Sequence, residues 1–205
     1  MSHDGGDRGE PARHAAILAG GLSRRMGAPK AAMDLAGRPL ISYPIAAARG
    51  AGLEPLVVAK AATPLPPLGC PLIREPDEPV HPLAGIVAAL EHLAAPAIVL
   101  ACDLPLLPPA LLSELAARRA PFAMPAVPRA QPLVARYSPE LLPQLRAGLA
   151  RNEPLSLVAE GLGGDLLGAG ELARFGDPGW IFANVNDRAE LEAIESRLVH
   201  GPRRD

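Results

Sequence analysis

Aromatic side chains are scarce in this 205-residue chain, with one Trp, two Tyr and three Phe. Nucleobase stacking along a strand has little surface to use. The formal net charge of −2 also lacks the basic excess of a nucleic-acid binder, so no nucleic-acid partner is expected. An anionic ligand must instead be held by a local cluster of cations. No stretch of about 18 apolar residues runs without Pro, Gly or charge, so no membrane-spanning helix is expected. The two cysteines, Cys70 and Cys102, are far apart and form no Cys-x-x-Cys pair. They are too few for a disulfide framework or a zinc site and read as reduced, buried small hydrophobes. Residues 1–12 (MSHDGGDRGEPA) have no apolar signal-peptide core. They predict a disordered tail on a cytoplasmic protein.

What is present points to a packed domain. A chain that is 49% hydrophobic and 20% charged can offset its ordering entropy, which excludes disorder for most of its length. The 25 Pro and 20 Gly show no Gly-x-y period, so the chain is not collagenous. The length favours a single domain over residues 13–200. Lysine occurs only as Lys30 and Lys60, asparagine only as Asn152, Asn184 and Asn186, and threonine only as Thr63. Such rare residues are the first places to look for chemistry.

Apolar runs at His14–Leu18, Leu56–Ala59, Leu72–Ile73 and Ala97–Ala101 read as buried strands. Helical patterns separate them at Pro39–Ala51 and Pro82–Leu93, and another follows Pro108-Pro109. The alternation predicts an α/β fold of three layers, α/β/α and Rossmann-like, on a mostly parallel mixed sheet. Beyond residue 120, strands are expected at Phe122–Val127, Leu133–Tyr137 and Ile181–Val185. Helices are expected at Leu141–Leu149 and Leu155–Leu162, with a glycine-rich loop over 163–170. Asp187 caps a closing helix. Residues 13–120 and 121–200 read as the two halves of this domain.

Ligands of open parallel sheets bind beyond the carboxyl ends of the strands. The first such end reads Leu18-Ala19-Gly20-Gly21-Leu22-Ser23-Arg24-Arg25-Met26-Gly27-Ala28-Pro29-Lys30. Gly20 and Gly21 permit close backbone approach, and free N–H groups in such a turn can cradle phosphate. Arg24, Arg25 and Lys30 add cations suited to phosphate oxygens. The pattern is neither a dinucleotide fingerprint nor a P-loop. Asp103 follows the strand AIVLA and suits Mg²⁺, which favours one or two carboxylates plus phosphate and water. Pro82-Leu83-Ala84-Gly85 opens a helix with small residues against which a flat base fits. Asn184 and Asn186 share one face of an extended run, where amides can read a heterocycle.

These segments resemble the molybdenum cofactor guanylyltransferases, of the nucleotidyltransferase superfamily with a nucleotide-diphospho-sugar transferase fold. LAGGLSRRMGAPK is similar to the family signature Leu-Ala-Gly-Gly-x-Ser-x-Arg-Met-Gly-x-Asp/Pro-Lys, and Cys102-Asp103-Leu104-Pro105 to its magnesium motif. Leu-Ala-Gly-Gly with Pro-Leu-Ala-Gly marks guanosine-specific members, whereas cytidine-specific relatives carry Leu-Ala-Ala-Gly. The resemblance implies nucleotide binding by Leu18, Ala19, Gly20, Gly21, Arg24, Lys30, Pro82, Leu83, Gly85 and Asp103. It also implies a nucleoside contact from Asp77, with Glu78 the neighbouring choice. Lys30, Arg25 and Asp103 take the catalytic places, and Asp103 the Mg²⁺. Phe182-Ala183-Asn184-Val185-Asn186-Asp187 is similar to the pterin-associated Asn-x-Asn motif, which implies acceptor contacts from Asn184 and Asn186. Here Asp187-Arg188 stands where the family carries Thr-Pro, and His81 stands where Gly is typical.

The implied substrates are GTP and molybdopterin, or the molybdenum cofactor. Molybdenum-insertion proteins or molybdoenzymes are the implied partners. Alternatives are a molybdopterin cytidylyltransferase, a guanylyltransferase for another phosphorylated acceptor, or a non-catalytic nucleotide-binding protein. A phosphate-monoester nucleophile is already ionised near neutral pH, so His81 is expected as a satisfied loop histidine, not a base. Lys60 and Asn152 carry no assigned role.

Overall fold

The computed structural model describes residues 9–20 and 29–200. Its elements follow the apolar runs. They begin with β1 (His14–Leu18), the short pair β2 (Asp34–Leu35) and β3 (Arg38–Pro39), α1 (Ser42–Gly50), β4 (Glu54–Ala59) and β5 (Leu72–Arg74). Next come α2 (Pro82–Leu93), β6 (Ala97–Ala101), α3 (Pro109–Ala117), β7 (Phe122–Pro125), β8 (Val134–Tyr137), α4 (Leu142–Ala150) and α5 (Leu155–Gly161). The chain closes with β9 (Asp165–Leu167), α6 (Ala169–Leu172), α7 (Pro178–Ile181) and α8 (Arg188–His200).

Seven strands form one sheet in the order β5-β4-β1-β6-β8-β7-β9. β5, β4, β1 and β6 run parallel, β8 is antiparallel to both β6 and β7, and β9 is parallel to β7. This is the mostly parallel mixed sheet that the sequence predicts. β1, β4 and β6 are apolar on both faces because helices cover both. On one side Ile45 and Ala48 of α1 and Leu111, Leu112 and Leu115 of α3 pack on Ile17, Val57, Ile98 and Leu100. On the other, Leu83, Ile86 and Leu90 of α2 join Leu145 and Val158 over Val99, Ala135 and Tyr137. The spacing of Leu83, Ile86 and Leu90 is that of one helix face.

The chain moves from β1 outward to β4 and β5, then returns across β1 to β6. The order therefore reverses between β1 and β6, and the crevice at such a switch point is where open α/β sheets bind ligands. A small cluster of Met33, Leu35, Leu40, Val185 and Ile194 docks α8 and the run before it against the β2–β3 pair. That docking brings residues near 185 to the same edge.

Four expectations differ from the structure. The helix expected from Pro39 begins at Ser42, because Pro39 pairs with Asp34 and the Leu40 N–H donates to Met33 O. The loop expected over 163–170 contains β9. Gly164, at φ 123°, passes so close to Phe122 that a Cβ would collide with its carbonyl oxygen. That approach sets Asp165–Leu167 against β7. The strand expected at Ile181–Val185 is absent. Asp177 Oδ1 accepts from the Gly179 N–H at 2.9 Å and Pro178 starts a short helical turn. Residues 183–186 then run without a ladder. Finally, the disordered tail expected over residues 1–12 does not include Ala12. Ala12 is buried and its N–H donates to Ala116 O, while residues 1–8 lie outside the described residues.

Asn152 gains a structural explanation. It follows α4 at φ 53°, a left-handed position that asparagine tolerates better than most residues.

Candidate active site at the strand ends

Strand register aligns the candidate residues. Leu18 of β1 lies level with Val58 of β4 and Ala101 of β6, and Ala59 lies level with Arg74 of β5. One or two residues further on, Gly20, Lys60 and Glu75 fall in a row across neighbouring strand ends. Asp103 sits on the other flank of β1, and the Cys102 N–H donates to Leu18 O.

Lys30 opens a short 3₁₀ turn behind Pro29. Its Nζ donates to Asp103 Oδ2 at 2.5 Å and to Asn186 Oδ1 at 2.9 Å. Both charged side chains are largely enclosed, each 17% exposed, which screens the pair less than a surface pair. Lys30 thus joins the end of β6 to the run before α8. Val185 keeps that run in place, since its side chain is fully buried and its N–H donates to Asp103 O. Asn186 faces Lys30. Asn184 lines a separate cavity of about 330 Å³ with Gln131, Trp180, Arg129 and Glu190. The two asparagines therefore meet different surroundings, because the run before α8 is not a strand.

Leu18 ends β1 with Ala19 and Gly20 just beyond it, and Leu83 and Gly85 are buried in the first turns of α2 with Pro82 exposed at its start. Glu75, a residue the sequence reading did not select, lies between the two glycine motifs. A Cβ at Gly20 would collide with Glu75 Oε1, and one at Gly85 would lie 2.9 Å from Oε2. Glu75 is 9% exposed, and burial raises its pKa above the usual carboxylate range, partly offset by the cation of Lys60. Its signal in the sequence was modest: an acidic residue ending the run Leu72-Ile73-Arg74-Glu75.

Asp77 is exposed, and its carbonyl accepts from Lys60 Nζ at 2.7 Å. Glu78 is exposed beside it. His81 caps α2, with Nδ1 accepting from the Leu83 N–H at 3.1 Å. Among the described residues this makes it a satisfied loop histidine. Gly21, Arg24 and Arg25 lie outside the described residues. Both cysteines are free thiols, and burial followed by the charge of Asp103 pushes Cys102 up to about 12. No group of three His, Cys, Asp or Glu side chains suited to a metal occurs among the described residues.

Known proteins resemble this chain. The profile of the MobA-like NTP transferase domain matches residues 15–163. A probable molybdenum cofactor guanylyltransferase of Bacillus licheniformis is 33% identical over 190 residues, 87% of this chain and 94% of that one. The molybdenum cofactor guanylyltransferase of Rhodobacter capsulatus is 37% identical over 195 residues, 89% of this chain and 94% of its own. Among solved structures, molybdopterin-guanine dinucleotide biosynthesis protein A of Archaeoglobus fulgidus superposes with a TM-score of 0.75 at 22% identity, covering 91% of this chain and 98% of that one. The 2-C-methyl-D-erythritol 4-phosphate cytidylyltransferase of Thermus thermophilus gives 0.66 at 16% identity, covering 90% and 98%, and shares the fold. The protein is thus an α/β nucleotidyltransferase. More narrowly, the chain belongs to the MobA-like NTP transferase family, that of the molybdenum cofactor guanylyltransferases.

Proposed function

We propose that this chain transfers GMP from GTP to the phosphate of molybdopterin or its molybdenum-bound form, with magnesium. The products are pyrophosphate and molybdopterin guanine dinucleotide. One observation carries the reading. The Lys30 ammonium touches Asp103 at the end of β6 and Asn186 before α8, so phosphate, metal and acceptor candidates converge on one point. The relatives' names and their nearly full-length coverage support the substrate pair.

The nucleophile is a phosphate oxygen, which forms a bond to the α-phosphorus of GTP. The bond from that phosphorus to the bridging oxygen breaks, and pyrophosphate leaves with the electron pair. Such a nucleophile needs no strong base, so positioning and charge neutralisation dominate. Lys30 supplies a mobile point charge to the phosphates. Gly20 and Gly21 let the backbone approach, Arg24 and Arg25 are assigned to the triphosphate, and Leu18 and Ala19 border it. Pro82, Leu83 and Gly85 form the floor for the base. Asn186, beside Lys30, is assigned to the acceptor, and Asn184 is assigned to it from the separate Trp180 cavity.

Asp103 fits magnesium. Its carboxylate turns Oδ2 to Lys30, and magnesium is a hard ion that takes one or two carboxylates and completes its shell with water and phosphate oxygens. Bound there, magnesium would neutralise charge developing on the α-phosphate and the leaving group. For the nucleoside, Glu75 is the better placed carboxylate than Asp77, since its oxygens lie between the two glycine motifs. An ionised carboxylate is acceptor-only and matches the adjacent N–H donors of guanine. Handover to a molybdenum-insertion or molybdoenzyme partner and a cytoplasmic setting belong to the same reading. No helix among the described residues is long and apolar enough to cross a membrane.

Pyrophosphate release measured with each nucleoside triphosphate, with and without magnesium and molybdopterin, tests the proposal. Signal is expected only when GTP, magnesium and molybdopterin are all present. Signal with CTP but not GTP would overturn it. Gly20→Ala tests the nucleoside end. The ladder stops at Leu18, so the variant is expected to fold. The new methyl displaces the Glu75 carboxylate and weakens GTP binding about tenfold, or ~1.4 kcal/mol. Unchanged affinity in a calorimetric titration would remove Glu75 from the site.

A further inference from the structure

We propose that Lys60 is a positioning residue of the nucleotide site, one that gathers the loop after β5 and holds the Glu75 carboxylate, as a charged acceptor, between Gly20 and Gly85. The inference rests on the nucleotide site proposed above and adds a residue to which the sequence motifs assign no part.

Lys60 is the first residue past β4 and is 8% exposed. Buried lysines need partners for all three ammonium protons. Here the partners are main-chain carbonyls of a single loop: Pro76 O at 2.6 Å, Asp77 O at 2.7 Å and Pro79 O at 3.5 Å. Arg74 Nη1 in turn donates to Lys60 O at 2.6 Å, which ties β5 back to the same residue. The Lys60 stem passes Gly20, with Cγ 3.7 Å from the point where a Cβ would lie. One side chain therefore lines the glycine end of β1 and clamps the loop leading from Glu75 to α2.

The ammonium is engaged by carbonyls and is not committed to phosphate. Its remaining influence is electrostatic. Among the described residues it is the cation that draws the Glu75 pKa down against the upward push of burial. Gly20 and Gly85 face Glu75 from β1 and α2 without charge. On the loop itself, Asp77 and Glu78 are exposed, and His81 is turned to the Leu83 N–H.

Lys60→Met keeps the stem and removes the charge, so Glu75 loses its opposing cation and protonates at higher pH. GTP affinity, measured calorimetrically across pH on the whole protein, should fall about tenfold at pH 7. Its acid limb should move to higher pH, and much of the loss should be recovered near pH 9. In a Glu75→Gln background the same substitution should leave no such limb to move. A loss equal at every pH, or an unshifted limb, overturns the proposal, because a purely structural lysine would act in that way. Should Lys60→Met fail to fold, wild-type and Glu75→Gln titrations still decide. Identical pH profiles for those two proteins overturn the proposal. A wild-type protein that binds no GTP at any pH refutes the proposed function itself.

Discussion

Asp103→Ala is expected to fold and to lose turnover by about 10³-fold, equivalent to ~4 kcal/mol of transition-state stabilisation. Folding should survive because the Asp103 main-chain carbonyl still accepts from the Val185 N–H whatever the side chain, and Lys30 keeps Asn186 Oδ1 as a partner. Activity should not survive. The Asp103 carboxylate is the acidic group that Lys30 contacts at the end of β6, where the metal role is assigned. Asp103→Asn separates charge from shape. The amide oxygen can still accept from Lys30 Nζ, yet a neutral amide is a poor ligand for a hard divalent cation. Both variants should therefore show the same large loss in steady-state pyrophosphate release, and both should need far more magnesium. Near-normal activity of either at ordinary magnesium would remove Asp103 from the metal site.

Arg136→Met should produce the largest loss of stability. Arg136 is 1% exposed in the middle of β8. Its guanidinium donates to Arg118 O at 2.8 Å, to Glu10 O at 2.6 Å and to Ser138 Oγ at 2.5 Å. Burial pushes its pKa below the ordinary arginine range, and these three acceptors compensate for the desolvation. Methionine preserves apolar volume and strands all three acceptors. Each unsatisfied buried group costs about 1–3 kcal/mol, partly offset because a desolvated charge is also removed. A net loss of ~3 kcal/mol lowers the midpoint of thermal unfolding by roughly 10 °C for a domain of this size. Arg136 pairs with Ile98, near the amino end of β6 and away from Asp103. Turnover at low temperature should therefore remain near wild type. A midpoint within about 2 °C of wild type would show that water replaces the guanidinium without penalty.

The local elements were legible where one short segment contains its own cause. β6 and α2 match their predicted bounds residue for residue, because an unbroken apolar run and a proline-started apolar face each fit a single kind of element. β9 was not legible. Three residues behind two glycines carry no period, and they form a strand only because β7 offers an edge that Gly164 allows them to reach. Asn184 and Asn186 were read as one face of a strand. The turn at Pro178 and the burial of Val185 instead send one towards the Trp180 cavity and the other to Lys30.

The candidate site divides in the same way. The glycine motifs, Lys30 and Asp103 were visible because each stands in a short motif at a strand end or a helix start, and the rarity of lysine drew attention to Lys60. Glu75 was passed over, and Asp77 looked the better choice, because both are acidic residues of one loop and differ mainly in where they point. That direction follows from the register of β1, β4 and β5, which sets Gly20, Lys60 and Glu75 side by side although they are far apart in the chain. The sequence by itself determined the sheet class and the family and marked the residues proposed for phosphate and metal, since each rests on local pattern. Tertiary structure decided which carboxylate lies between the glycines and which lysine gathers the loop beside it. Those relations depend on backbone hydrogen bonds between distant strands, and no local pattern records them.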